Sequence, residues 1–187
     1  MSDQLSDRRK ALEDRFFQDQ ESKQLEKLRG ELADKKSKEE LGAASGIEDN
    51  HLLDALVGLS VGVSDLSALA LIPLVRVAWV DGSVNDKERD AILQAAANQG
   101  ISNKSHSYQL LEQWLVKSPG SELYEAWEEY VHSLLKEMDE AHATTLKESI
   151  LGLAHDVASS AGGLLGIGSV SKAEHKVLAS IGEAFDK

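Results

Sequence analysis

The chain has 187 residues, a formal net charge of −12, 5% aromatic side chains, two prolines and no cysteine. That length accommodates one domain with a sizeable core plus an extension. Without cysteine, disulfides and thiolate metal sites are excluded, and the acidic balance argues against a nucleic-acid partner while admitting cations or basic protein segments.

Ala, Leu, Glu and Lys are abundant, so the expected fold is all-α. The charge is unevenly placed: residues 1–40 carry 10 basic and 11 acidic side chains, leaving 10 basic and 21 acidic in the remainder. The start, MSDQLSDRRK, has no apolar leader core, which gives a cytoplasmic address as the expectation. Residues 1–41 read as a charged helical arm whose sparse apolar residues (Leu12, Phe16, Phe17, Leu25, Leu28, Leu32) form a narrow contact stripe. Leu25, Leu28 and Leu32 have coiled-coil spacing over one heptad only, so the arm is expected to dock on a protein partner, on its own globular part or on a twin chain. Residues 42–50 (GAASGIEDN) read as a linker with an Asp49/Asn50 helix cap.

Residues 51–187 read as one helical domain. The apolar stretch His51 to Val80 is interrupted by Asp54, Asp65 and Arg76 into pieces shorter than the ~18 residues a membrane span needs. Within it, 65–80 is apolar on all sides and is expected to be the central buried helix, broken near Ala70 to Ile72 by Pro73. Further helical stripes follow at Ile92 to Ala96, at Leu111, Trp114 and Leu115, and after the Ser118-Pro119-Gly120 turn at Leu123, Trp127, Tyr130, Leu134 and Met138. Leu146, Ile150, Leu153 and Val157 form the next, and Val177, Leu178, Ile181 and Phe185 the last.

DGSVNDKERDAI (81–92) aligns without gaps on IGSVSKAEHKVL (167–178). In each copy a capping residue, Asn85 or Ser171, precedes a glutamate, Glu88 or Glu174, by three positions, the spacing of a capping box. A duplicated helix-loop-helix is therefore expected. The first loop also concentrates Asp81, Ser83, Asn85, Asp86 and Glu88, hard oxygen donors of the type Ca²⁺, Mg²⁺ or Mn²⁺ prefer. It is no EF-hand, because the sixth and twelfth positions from Asp81 hold Asp86 and Ile92 instead of Gly and Glu. Helix-end chemistry accounts for Gly82, Asn85, Asp86 and Glu88 and leaves Asp81 without a structural duty.

Other motifs lose their chemistry in context. GLSVG (58–62), with Asp156 and His175 downstream, has the letters of a nucleophile elbow, but no strand pattern precedes Ser60. GLLGIGSV (163–170) has phosphate-loop glycine spacing without the lysine. The six histidines show no HExxH spacing. Trp114 and Trp127 are expected in the core, and Trp79 behind the acidic loop.

VAWVDGSVNDKE, following LALIPLVR, resembles the signature of the TerB-like family of tellurite-resistance proteins over roughly 51–187. That resemblance implies a helical bundle with an internal pseudo-repeat, no catalytic activity, a stress-response role often near the membrane, and an acidic site for a divalent cation. By position it assigns Asp81 and Glu88 of the first motif and Glu174 of the second as ligands; Asp86, in the same loop, is expected to support them. The second motif departs from the pattern at Ile167, where an aspartate would stand. The arm segment DRRKALEDRFFQDQE (7–21) is similar to the first helix of the zeta-type inhibitor subunit of alphaproteobacterial ATP synthase, which implies an inhibitory helix that inserts into a protein partner.

Overall fold

A computed structural model describes residues 2–161 and 170–186, with side chains described for 23–160 and 170–186. Among the described residues all regular structure is helical, so the all-α expectation holds. The chain divides into two compact units, 1–40 and 41–187.

The first unit is the part of helix α1 (Ser2–Ser45) up to Glu40; the helix itself continues four residues beyond the expected end of the arm. No proline interrupts it, and its Glu, Lys and Leu residues are good helix formers. Exposed ion pairs one turn apart, Lys27–Glu31 at 3.8 Å and Lys36–Glu40 at 3.6 Å, line its surface and add little stability in water. Leu25, Leu28 and Leu32 are 51%, 51% and 67% exposed. The inhibitor-like segment 7–21 is helical, and its side chains lie outside the described residues.

The second unit begins with Leu41, on the last turns of α1, which is fully buried, and Ile47, which is nearly so. Leu41, expected at the end of the arm, and Ile47, expected in the linker, therefore both contribute to the core. Asp49 caps α2 (Asn50–Gly58), its carboxylate accepting from the amides of His51 at 2.8 Å and Leu52 at 3.4 Å. Helix α2 ends in a Schellman closure: Val61 N–H donates to the Leu56 carbonyl and Ser60 N–H to that of Val57, both at 2.9 Å. The closure needs a left-handed residue, and Ser60 takes that place at φ 60° where glycine is usual. Ser60 thus follows a helix, and its unusual backbone is explained by helix termination.

The apolar 65–80 stretch is broken where proline requires it. A 3₁₀ turn (Val63–Asp65) leads into α3 (Leu66–Leu69), and α4 (Ile72–Ala78) starts anew with Pro73 in its first turn, where a missing N–H costs nothing. Every residue of α4 except Arg76 is buried. Arg76 reaches outward, stacking 5.4 Å from the centre of the Tyr124 ring and pairing with Glu128 at 3.1 Å.

Helix α5 (Asp86–Asn98) follows the acidic loop, then come α6 (His106–Val116), α7 (Ser121–Glu137), α8 (Glu140–Ala161) and α9 (Lys172–Glu183). The hairpins α4–α5 and α8–α9 pack together as the centre of the unit, with α5 and α4 both against α8 and α9 against α4 and α8. Helix α7 covers α2 and α4, while α6 covers α3 and the 3₁₀ turn. The α7 stripe is embedded through Leu123 and Trp127, the latter meeting the Phe185 ring edge-on at 6.2 Å between centroids. Among the described residues no single helix is long and apolar enough to cross a membrane.

Candidate functional site

The loop after α4 is closed by Gly82, whose φ of +89° lets its amide reach back 3.0 Å to the Trp79 carbonyl. Asp81 is exposed, and its Oδ1 accepts the Ser83 amide at 3.2 Å. This corrects the expectation that Asp81 has no structural duty: a short side chain two residues ahead of an amide forms an Asx turn, a contact too local for helical periodicity to reveal.

The next four residues build the expected capping box. Asn85 Oδ1 accepts from the amides of Lys87 at 3.0 Å and Glu88 at 3.1 Å, and Glu88 Oε2 accepts from the Asn85 amide at 2.9 Å. Reaching back in this way draws Glu88 into the bundle, where only 2% of it is exposed. Asp86, in the first turn of α5, stays in solvent, where its charge favours the helix N-terminus.

The second copy repeats the arrangement. Ser171 Oγ accepts the Glu174 amide at 3.1 Å, Glu174 Oε2 accepts the Ser171 amide, and Glu174 is 7% exposed. The duplication read from the sequence therefore corresponds to two matching buried glutamates at the starts of α5 and α9. Residues 162–169, which include Ile167 and the glycine-rich run, lie outside the described residues.

The two copies sense each other. Burial raises the Glu88 pKa above its ordinary value of 4.5; the Asn85 amide offsets part of this, and the negative charges of Asp81 and Glu174 raise it further. Three carboxylates thus share one electrostatic neighbourhood although Glu174 is distant in sequence. In each, one oxygen serves the local backbone, and among the described residues no hydrogen bond or ion pair engages the other. Also among the described residues, no group of three His, Asp or Glu side chains is already gathered as a metal cage. Carboxylate oxygens are donors of the kind hard cations prefer.

A folded-state pKa above the unfolded value means that Glu88 favours the folded state when protonated, and that this contribution is lost as pH rises through the folded-state pKa. Glu88→Gln keeps an acceptor for the Asn85 amide and removes the charge. The variant is expected to gain stability relative to the native chain as pH rises from about 4 to 7, as ionisation is suppressed. Urea unfolding across that range checks it; a constant difference between the two proteins would refute the assignment.

The walls of the loop involve residues that sequence spacing did not connect. Trp79, at the end of α4, donates its indole N–H to the Trp114 carbonyl at 2.8 Å. Arg89, directly after Glu88, pairs with Glu112 at 2.9 Å. Trp114 and Glu112 both line an open groove of about 790 Å³ that runs past Val116 and the 118–120 turn to Leu123. Trp79 and Trp114 are both half-buried and pack against the core, Trp114 also lining the groove. Elsewhere, Asp65 is 2% exposed and joins the 3₁₀ turn to α6 by accepting from the Gly62 amide at 3.0 Å and Ser107 Oγ at 3.3 Å, with His106 Nδ1 at 3.0 Å. Its sequence signal was a single acid within an apolar run; its partners in α6 lie some forty positions on.

No protein-family model, curated protein or solved structure matches this chain.

Proposed function

We propose that this is a non-enzymatic, TerB-like protein that binds a divalent cation, Ca²⁺, Mg²⁺ or Mn²⁺, at the acidic loop between α4 and α5. The observation that carries the reading is the presence of two buried glutamates, Glu88 and Glu174, at the matching helix starts of the two copies. Each lacks an ion-pair partner among the described residues, and the Glu88 pKa is raised first by burial and further by the charges of Asp81 and Glu174. Like charges gathered away from water are costly, and a divalent cation would offset that cost. Asp81, exposed at the mouth, would turn its second oxygen to the ion, and Asp86 would add to the local negative potential.

A cation that binds only the folded state at a hundred times its dissociation constant stabilises by about 2.7 kcal/mol. For a protein of this size that corresponds to roughly 2–4 °C of melting temperature per kcal/mol. Thermal melts in millimolar Ca²⁺, Mg²⁺ or Mn²⁺ are expected to rise by several degrees, with the rise lost in Asp81→Ala while the cation-free melt stays nearly unchanged. A native melt indifferent to all three cations would remove this reading.

The exposed leucines of α1 favour a second reading, in which the protein is an adaptor that engages a protein partner through that helix. In that reading the acidic loop is purely structural: removal of residues 1–40 abolishes capture of the partner, and neither form of the chain responds to cation.

A further inference from the structure

The geometry points to His106 as a phosphoryl-accepting histidine, its Nε2 presented to solvent as a nucleophile by the buried carboxylate of Asp65. The site uses no residue of the acidic loop and stands apart from the cation reading. His106 Nδ1 lies 3.0 Å from Asp65 Oδ1, and the Gly62 amide fixes the other carboxylate oxygen at 3.0 Å. A carboxylate only accepts, so in the neutral ring the proton sits on Nδ1 and the lone pair on Nε2. Burial is one-sided: the Asp65 side chain is 3% exposed and that of His106 is 56% exposed. Among the described residues no hydrogen bond or ion pair engages Nε2. A structural tie needs Nδ1 alone; the second nitrogen is left in solvent at a fixed orientation, as in an imidazole oriented for chemistry by a third group.

The surroundings favour an anionic electrophile. Residues 91–111 contain no Asp or Glu in a chain with 32 of them, and exposed Lys104 stands two positions before His106. This stretch offers a phosphoryl donor far less repulsion than the acidic loop does. The donor class is a phosphoramidate, which carries its phosphoryl group on nitrogen. Nε2 forms a bond to phosphorus while the donor P–N bond breaks, and the donor's protonated nitrogen leaves with the electron pair as a neutral amine. One P–N bond replaces another, so no further reactant is consumed. The ring keeps its Nδ1 proton and becomes a cation, which the Asp65 carboxylate stabilises.

The test treats the full chain with phosphoramidate and maps phosphohistidine by mass spectrometry. His106 is expected to react at least about tenfold faster than the other exposed histidines, since a hydrogen bond to a charged group is worth that factor or more. Those are His51, His142, His155 and His175. His142 is the sharpest control: its Nδ1 meets Asp139 at 2.7 Å, but both side chains are exposed, so water screens the pair. His106→Gln, at an exposed position, is expected to lose the fast site and leave the slow ones unchanged. Asp65→Asn is expected to bring His106 down to the rate of His51. Should that variant not fold, the ¹⁵N spectrum of the native imidazoles carries the argument, with the neutral His106 ring protonated on Nδ1. Labelling of His106 no faster than that of His142, or a native ring protonated on Nε2, overturns the inference.

Discussion

Replacing Trp127 by alanine is expected to lower the unfolding free energy by about 3–5 kcal/mol, the usual range for deleting a large core aromatic. The indole, on α7, is 1% exposed and meets the Phe185 ring edge-on, so its removal leaves a cavity that the close-packed surroundings cannot fill. Its Nε1 is buried without a hydrogen-bond partner among the described residues. Trp127→Phe retains most of the apolar contact and removes that orphan donor, so it is expected to cost far less than alanine. Chemical denaturation of the two variants checks the argument. Equal losses would mean that the indole is held by a polar contact instead of by packing.

Asp65→Ala is expected to cost about 3 kcal/mol, since hydrogen bonds to a charged acceptor are worth about 1.5–3 kcal/mol and several donors lose theirs together. The carboxylate is enclosed and meets the Gly62 amide and the His106 ring, with the Ser107 hydroxyl, which donates chiefly to the Ser64 carbonyl, also within reach. Asp65→Asn keeps one carbonyl oxygen and is expected to recover part of the loss. The readout is again denaturation, supplemented by hydrogen exchange at 62–66 and 105–108, where local opening is expected first. A loss below 1 kcal/mol for alanine would show that water replaces the carboxylate readily and that the tie is incidental.

These two side chains mark what the sequence makes legible. Trp127 was readable because Leu123, Trp127 and their successors recur at three- and four-residue spacing, and burial of a helical stripe follows from geometry. The capping boxes were equally readable, since Asn85–Glu88 and Ser171–Glu174 carry their partners three positions away. The break before Pro73 follows from its ring and missing N–H. Asp65 was not readable as a tie, because Ser107 lies in a different helix and nothing in either segment names the other. The links from Trp79 to Trp114 and from Arg89 to Glu112 are hidden for the same reason, as they arise only once α6 folds across the end of α4. Asp81 failed differently: its acceptor role is local, but an Asx turn has no periodicity to betray it.

Leu41 sets a practical limit on dissecting the chain. Because that residue fills interior space while belonging to the same continuous helix as the solvated arm, the separable piece stops one position earlier. A truncation that included it would carve a hole in the bundle, and the resulting instability would be mistaken for loss of whatever the arm recognises.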